Sequence, residues 1–191
     1  SLDEPVLFET LREARDNVAF ATPDEWCFLA DPDGVEPARL ELCSENLISY
    51  PTKSKVSAAL ELERLASTAD SRIVGVESAE YVDSLAETAV VTSTGIRSST
   101  RQSNCYLAAH VLAGAGEETQ TGFGYSVARS PDGLDVDRAA TDAAERATRL
   151  LGAVKPGSSR LTVVLDPWVS AQFLGIVGST LNGESVLKGR S

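Results

Sequence analysis

The chain has 191 residues, enough for one well-packed core or two small ones. It carries 28 acidic and 17 basic side chains, for a formal net charge of −11. This balance argues against a surface that binds nucleic acid directly through basic residues. No apolar run approaches the roughly 20 residues of a membrane span and no signal peptide is visible, so the sequence predicts a cytoplasmic protein without a membrane contact.

The titratable residues offer little for catalysis. Cys27, Cys43 and Cys105 form no CxxC pair, so we expect reduced, mostly buried thiols rather than disulfides or a zinc knuckle. His110 is the only histidine, whereas catalytic zinc usually needs three protein ligands that include His. Cys105 and His110 would lie on opposite faces of a strand and could not form a nucleophile relay. We therefore interpret His110 as structural and expect no catalytic, cofactor-binding or metal-binding residue in this chain.

The first element is a helix whose N-cap is Asp3, with acidic residues in its first turn. Apolar residues recur at helical spacing and predict one buried stripe: Leu7, Leu11, Ala14 and Val18. Prolines interrupt the next segment, residues 21–50, which is predicted to be a long connection. Three of its apolar residues are expected to hold it to the core: Trp26, Phe28 and Leu29.

A second helix is predicted from Lys53 to about Ala69, after a cap at Thr52. One side of this helix is expected to be buried, namely Val56, Ala59, Leu60 and Glu63. A second group of residues should widen that buried side, namely Leu62, Leu65 and Ala66.

From Arg72 the sequence becomes rich in Val, Thr, Tyr and Ile, with short turn-like breaks. It predicts a four-stranded antiparallel meander with strands at residues 73–76, 81–91, 96–111 and 119–128. In the third strand the residues alternate, so that Arg101, Ser103, Cys105, Leu107 and Ala109 share one face. Gly122 and Gly124 lie within the last strand and indicate a bulge or a close backbone approach.

The next helix is predicted over Leu134–Leu151, after the turn at residues 131–133 and before Gly152. Its buried stripe should be Val136, Ala140, Ala143, Ala147 and Leu150. Two ion pairs at i,i+4 spacing are expected on its surface, Asp142–Arg146 and Glu145–Arg149. The polar linker at residues 155–159 marks the domain boundary that we expect, with an α+β domain over 1–155 and the start of a second, incomplete domain over 156–191.

The last stretch opens with Leu161–Leu165, a β-branched and apolar run that predicts a buried strand. Asp166 and Pro167 then predict the start of an apolar helix, which should end at Asn182-Gly183. The overall fold class expected is therefore α+β, a meander packed on helices and followed by a strand-helix unit.

This last stretch resembles the TldD/PmbA family, also called the modulator of DNA gyrase family. The matching residues surround the helix: Val163, Val164, Leu165, Pro167, Lys188, Gly189 and Ser191. In the catalytic branch of that family the helix carries HExxxH, in which two His bind zinc and Glu is the general base. Here the interval reads Phe173–Thr180 and contains no His, Glu or Cys. The chain therefore resembles the PmbA/TldE-like branch, which lacks the metal motif.

The resemblance implies a non-catalytic subunit of a metalloprotease that acts on peptides or unfolded proteins, in a dimer or hetero-oligomer. Zinc is expected in a TldD-like catalytic partner and not in this chain. An extended peptide substrate could add to a free sheet edge through main-chain hydrogen bonds. The alternatives are an independent hydrolase with its site outside these residues and a gyrase-associated regulatory protein.

The sequence also contains no Met, from which we expect a piece of a longer protein, within the N-terminal half of a family member. Strands would then precede the first helix and a β-rich domain would follow. Such a piece should expose apolar residues that the rest of the protein covers, chiefly Trp168, Phe173, Ile176 and Val177.

Overall fold

The computed structural model describes residues 3–36 and 38–191. Its helices are α1 (Glu4–Val18), α2 (Glu45–Ile48), α3 (Thr52–Thr68), α4 (Val136–Arg149), α5 (Pro167–Thr180) and α6 (Gly183–Leu187). Its strands are β1 (Ile73–Val91), β2 (Arg97–Ala113) and β3 (Gln120–Ala128). The chain divides into two compact units, Asp31–Ser158 and a smaller one in which the described residues up to Ala30 join Ser159–Ser191. The domain boundary at residues 155 and 156 stays a prediction.

The larger unit is a three-stranded antiparallel meander in the order β1-β2-β3, with α3 and α4 against it. The α+β fold class is confirmed. The prediction of four strands was wrong, because residues 77–79 do not form a turn and β1 runs through them. The β1–β2 register shifts between Val76 and Ser78, so the polar stretch is absorbed as an irregularity within one long strand.

The core lies between the sheet and the two helices. In β2 the predicted alternation is confirmed, since Ser103, Cys105, Leu107 and Ala109 share one face and are all buried, with Leu107 and Ala109 in the cluster that includes residues of α3 and α4. The core is built largely from small side chains, which allows the helices to approach the sheet closely. Its buried members are Leu62, Ala66, Leu107, Ala109, Val111, Ala113, Ala139, Ala140, Ala143 and Ala147.

The closest approach is between β3 and α4, at the two glycines of the strand. A Cβ atom on Gly122 would lie 2.0 Å from the carbonyl oxygen of Ala143, and one on Gly124 would lie 2.0 Å from that of Ala139. The β2–β3 register is continuous through both positions. The predicted close approach is therefore confirmed, and the alternative of a bulge is not needed.

Helix α3 buries the second of the two groups expected on its buried side, whereas Val56, Leu60 and Glu63 of the first group are exposed. Leu62 and Ala66 are 0% exposed, whereas Val56 is 54% and Leu60 is 59% exposed. Both sets recur at helical spacing, so the periodicity alone could not choose between them. The choice follows from packing, because Leu62 and Ala66 face the alanines of α4 and the buried face of β2.

Helix α4 follows the sequence closely. Asp135 caps it by accepting a hydrogen bond from the Arg138 amide at 2.9 Å. The predicted ion pairs are both present, Asp142–Arg146 at 3.6 Å and Glu145–Arg149 at 3.7 Å. Its alanine stripe is buried as expected, while Leu150 at its C-terminal end is exposed.

The connection from α3 to β1 is held by Asp70 and Arg72. The Asp70 carboxylate accepts hydrogen bonds from the Arg72 guanidinium at 2.9 and 2.7 Å and from the Arg72 amide at 2.9 Å. These hydrogen bonds favour the ionised carboxylate and lower the pKa of Asp70 from 3.8 to about 2.

We expect Asp70→Asn to remove a contribution to stability that depends on pH. Because the pKa of Asp70 is lower in the folded state, its contribution is full above about pH 4 and is lost as the pH falls towards 2. Urea midpoints of the wild type and Asp70→Asn should therefore differ at pH 6 and converge near pH 2. A difference that stays constant over this range would show that the carboxylate charge is not what stabilises the connection.

The smaller unit corrects three expectations. The predicted strand at 161–165 does not form, and Val164 is 92% exposed. Within the described residues no strand pairs with this run. Its β propensity is therefore not enough to make it a strand, because its backbone groups have no neighbouring strand to bond to. The predicted stripe of α1 is not buried, since none of the described residues of α1 is. Trp26, Phe28 and Leu29 are exposed rather than packed.

The helix after Pro167 is confirmed as α5. Asp166 caps it by accepting a hydrogen bond from the Trp168 amide at 2.8 Å. A short further helix that was not predicted, α6, follows, and Asn182 caps it. Within the described part of the chain, no helix is both long and apolar enough to cross a membrane.

Candidate functional site

Strands β1 and β2 extend beyond β3 as a two-stranded ribbon. Strand β3 pairs with β2 only as far as Ala128 opposite Cys105. Beyond that point β1 and β2 continue together to Val91 opposite Arg97, where a turn with Gly95 at φ 102° joins them. The ribbon therefore consists of Ser84–Val91 and Arg97–Asn104. A two-stranded ribbon has only marginal stability in water without another element packed on it.

One edge of this ribbon is open. In an antiparallel pair, successive residues of a strand direct their backbone N–H and C=O groups alternately towards the partner strand and away from it. In β2 the odd-numbered residues direct these groups away from β1. The Ser103 amide, for example, donates a hydrogen bond to the Leu42 carbonyl of another segment at 2.9 Å. Arg97, Ser99 and Arg101 are the next residues in this series. Among the described residues, no strand pairs with this side of β2 beyond Cys105.

A segment that we call the strap, residues 38–44 without any strand assignment, lies beside this edge. It is attached at Ser103, which is 1% exposed. The Ser103 hydroxyl accepts a hydrogen bond from the Ser44 amide at 2.8 Å and donates one to the Arg129 carbonyl at 3.1 Å. Arg129 in turn donates to the Leu42 carbonyl at 3.2 Å. Leu42 thus occupies the position on β2 that β3 would take if it were longer.

Between the strap and the open edge lies a cleft of about 490 Å³. Its walls are residues 38–42 of the strap and Ser99–Arg101 of β2. The cleft therefore offers free backbone groups on one side and a polypeptide wall on the other, which is a suitable arrangement for an extended chain.

Arginines border this edge. Arg101 forms ion pairs with Glu87 across the ribbon at 3.0 Å and with Glu45 at 3.7 Å. Arg97 lies four residues earlier on the same face of β2 and Arg39 lies in the cleft wall. Neither Arg97 nor Arg39 forms a salt bridge to another described residue. Arg97 and Arg39 thus present guanidinium groups at the edge. Arg101, in contrast, already pairs with two carboxylates, and Glu41 also lies in the cleft wall.

A separate cluster of polar side chains lies under α3, on the inner face of the sheet. Lys55 forms an ion pair with Asp83, and Tyr81 lies next to Asp83 and Cys105. Burial raises the pKa of Tyr81, and the neighbouring Cys105 and Asp83 raise it further. Burial also raises the pKa of the Cys105 thiol, so the unreactive form is favoured. This group joins α3 to β1 and does not provide a nucleophile.

His110 lies on the outer face of the sheet, on the side opposite to Cys105. Its ring is 4.7 Å from that of Phe123, which stacks at 5.5 Å on Tyr125. Of the three free cysteines, Cys105 is buried, Cys43 is partly buried and Cys27 is exposed, so the expectation of mostly buried thiols was wrong. No group of three or more His, Cys, Asp or Glu residues in the described part of the chain could hold a metal ion. The absence of catalytic, cofactor-binding and metal-binding residues stays a prediction.

Helix α5 presents an apolar surface to solvent. Trp168, Phe173, Ile176 and Val177 are all exposed, as expected, with Ile176 at 67%. The interval Phe173–Thr180 lies wholly within this helix. Its side chains include no metal ligand or general base of the usual kinds.

Sequence reasoning did not locate the open edge. The unequal lengths of the predicted third and fourth strands, residues 96–111 and 119–128, already indicated that such an edge exists. A strand that is longer than its neighbour must leave part of one edge unpaired. The attachment of the strap at Ser103 could not be read from the sequence, because it joins residues far apart in the chain.

Several solved structures resemble this chain, including the following three. The first is described as a candidate modulator of DNA gyrase from Bacteroides thetaiotaomicron, with 26% identity, a TM-score of 0.86 and coverage of 98% of this chain and 44% of that one. A similarly described protein from Thermotoga maritima has 22% identity and a TM-score of 0.67 over 83% of this chain and 35% of that one. TldE from Thermococcus kodakarensis has 21% identity and a TM-score of 0.62 over 76% of this chain and 33% of that one.

This chain therefore spans less than half the length of each of these solved relatives. No curated protein shows significant similarity to it. The sequence model of the PmbA/TldA metallopeptidase central domain matches residues 45–151, which is more than half of the chain and includes α2, α3, the whole sheet and α4. The chain belongs to the PmbA/TldD metallopeptidase family, whose members include proteins described as modulators of DNA gyrase.

Proposed function

We propose that this chain belongs to a non-catalytic, PmbA-like subunit of a TldD/PmbA-type metalloprotease that acts on peptides or unfolded proteins in the cytoplasm. The observation that carries the proposal is the composition of α5. The resemblance of the flanking residues Val163–Pro167 and Lys188–Ser191 would align this helix with the one that carries HExxxH in the catalytic branch, and its Phe173–Thr180 interval contains no His, Glu or Cys. Water attack on a peptide bond needs an activated nucleophile, which a zinc ion would have to supply from elsewhere.

The remaining titratable groups support this proposal. The Cys105 thiol is buried with a raised pKa, and His110 lies on the other face of the sheet, so the two cannot act together. The exposed apolar surface of α5 is of the kind that a partner or a further domain covers. In the proposed assembly a TldD-like subunit supplies zinc and the general base, while this subunit provides interfaces and part of the peptide path.

The test is to purify the whole protein alone, and again together with a TldD-like subunit from the same organism, and to assay cleavage of an unfolded peptide. We expect no cleavage by the protein alone and chelator-sensitive cleavage by the pair. A matched control is the pair in which the His residues of the partner's HExxxH are replaced, which should be inactive. Chelator-sensitive cleavage by the protein alone would contradict the proposal and favour an independent hydrolase.

A further inference from the structure

We propose that the open edge of β2 at Arg97–Arg101 is the docking site for an extended strand of a partner subunit, a strand that carries carboxylates four residues apart. The proposal rests on the proposed function in so far as the strand belongs to a partner subunit. The occupant is identified by three features of the edge: its free backbone groups, its charges and the marginal stability of the ribbon.

The backbone groups give the means of attachment. The amides and carbonyls of Arg97, Ser99 and Arg101 point away from β1 at regular spacing. The next residue of that series, Ser103, already donates its amide to the Leu42 carbonyl of the strap at 2.9 Å. The chain thus adds one residue of a neighbouring segment to this edge by itself. A longer extended strand can continue the same ladder along the cleft.

The charges select the strand. Arg97 and Arg101 lie on one face of β2 because they are four residues apart in a regular strand, and Arg101 pairs on that face with Glu87 of β1. If two copies of this chain paired antiparallel about Ser99, Arg97 of each copy would lie opposite Arg101 of the other. Like charges directly opposite each other destabilise such a pair. A strand with carboxylates four residues apart would instead place one opposite each arginine.

The ribbon also indicates a lasting partner rather than a passing ligand. Ser84–Val91 and Arg97–Asn104 extend beyond β3, and Leu85, Val90 and Val91 remain exposed on them. Two strands alone are marginally stable, and a third strand with a packed face gives independent stability. A strand that belongs to a folded subunit would supply this stabilisation continuously.

The first test uses a fluorescent octapeptide of β-branched residues with glutamates four positions apart, titrated with the chain and followed by anisotropy. We expect saturable binding that is weaker for the same peptide with lysines at those positions. N-methylation of the amides that face β2 should abolish binding. Equal binding of the glutamate and lysine peptides, or no binding of either, would overturn the proposal.

Variants locate the site on the edge. Ser99→Pro removes an outward amide and should weaken binding of the glutamate peptide by about tenfold or more. The matched control is Ala89→Pro, because Ala89 pairs with Ser99 and directs its amide to the opposite, outer edge of the ribbon. It should leave binding unchanged. Arg97→Glu should reverse the preference between the glutamate and lysine peptides. Equal losses in Ser99→Pro and Ala89→Pro would contradict a site on the β2 edge.

The source of the strand is tested with the whole protein and its TldD-like partner. If the partner's strand occupies the edge, adding the partner should displace the bound glutamate octapeptide. Undiminished peptide binding in the assembled pair would refute the partner strand and assign the edge to passing peptides. None of these readouts depends on proteolysis, so they remain informative if the proposed catalytic arrangement fails.

Discussion

Replacement of Gly124 by alanine is expected to destabilise the larger unit by about 3 kcal/mol or more, which is at the upper end of the usual cost of overpacking. The added Cβ would lie 2.0 Å from the Ala139 carbonyl oxygen and 2.5 Å from the Ala143 amide nitrogen. Both atoms belong to the backbone of α4 and cannot rotate away as a side chain would. The helix would have to move off the sheet and lose its alanine packing. Urea unfolding followed by circular dichroism measures the change.

The control is Gly75→Ala, also within a strand. There the nearest atom to the added Cβ is Cδ1 of Leu112 at 3.9 Å, an ordinary contact. We expect a change within about 0.5 kcal/mol, the usual range for substitutions away from special features. Equal effects at the two positions would show that the glycines matter for chain flexibility and not for the approach of α4 to β3.

Leu62→Ala is expected to cost about 2–5 kcal/mol, the range for removal of a buried leucine side chain. Leu62 is fully buried between α4 and the covered face of the sheet. Its truncation leaves a cavity that the surrounding alanines are too small to fill. The free energy of unfolding from urea titration, with an unchanged m-value, would measure this cost.

Leu60→Ala on the same helix provides the comparison. Leu60 is exposed, so its truncation should change the free energy of unfolding by less than about 0.5 kcal/mol. The pair of variants decides which side of α3 faces the core. A larger loss in the free energy of unfolding for Leu60→Ala than for Leu62→Ala would show that the side with Val56 and Leu60 faces the core.

The sequence was most informative where local chemistry decides the outcome. Asp166 caps α5 at the expected place because a carboxylate next to free amides has few alternatives. The buried alternation in β2 followed from its period of two. Gly122 and Gly124 were recognised because glycine inside a strand usually marks a bulge or a close approach.

It was least informative where the outcome depends on distant partners. Leu161–Leu165 has the composition of a strand but lacks a pairing strand among the described residues. Helix α3 has two apolar sides, and only the position of α4 selects Leu62 over Leu60. The open edge of β2 arises from where β3 ends, and the predicted strand lengths indicated only that part of some edge would stay unpaired.

The attachment of the strap at Ser103 has a consequence for the order of folding. The hydrogen bond from the Ser44 amide joins residues 59 positions apart, whereas each pair of adjacent strands in the meander is joined by a short connection. Contacts of high sequence separation cost more loop entropy, and few hydrogen bonds hold the strap once it is in place. The strap should therefore dock after the meander has formed and detach before the meander opens. The strap, which forms the wall of the cleft, can thus detach and dock again while the sheet that carries the edge stays folded.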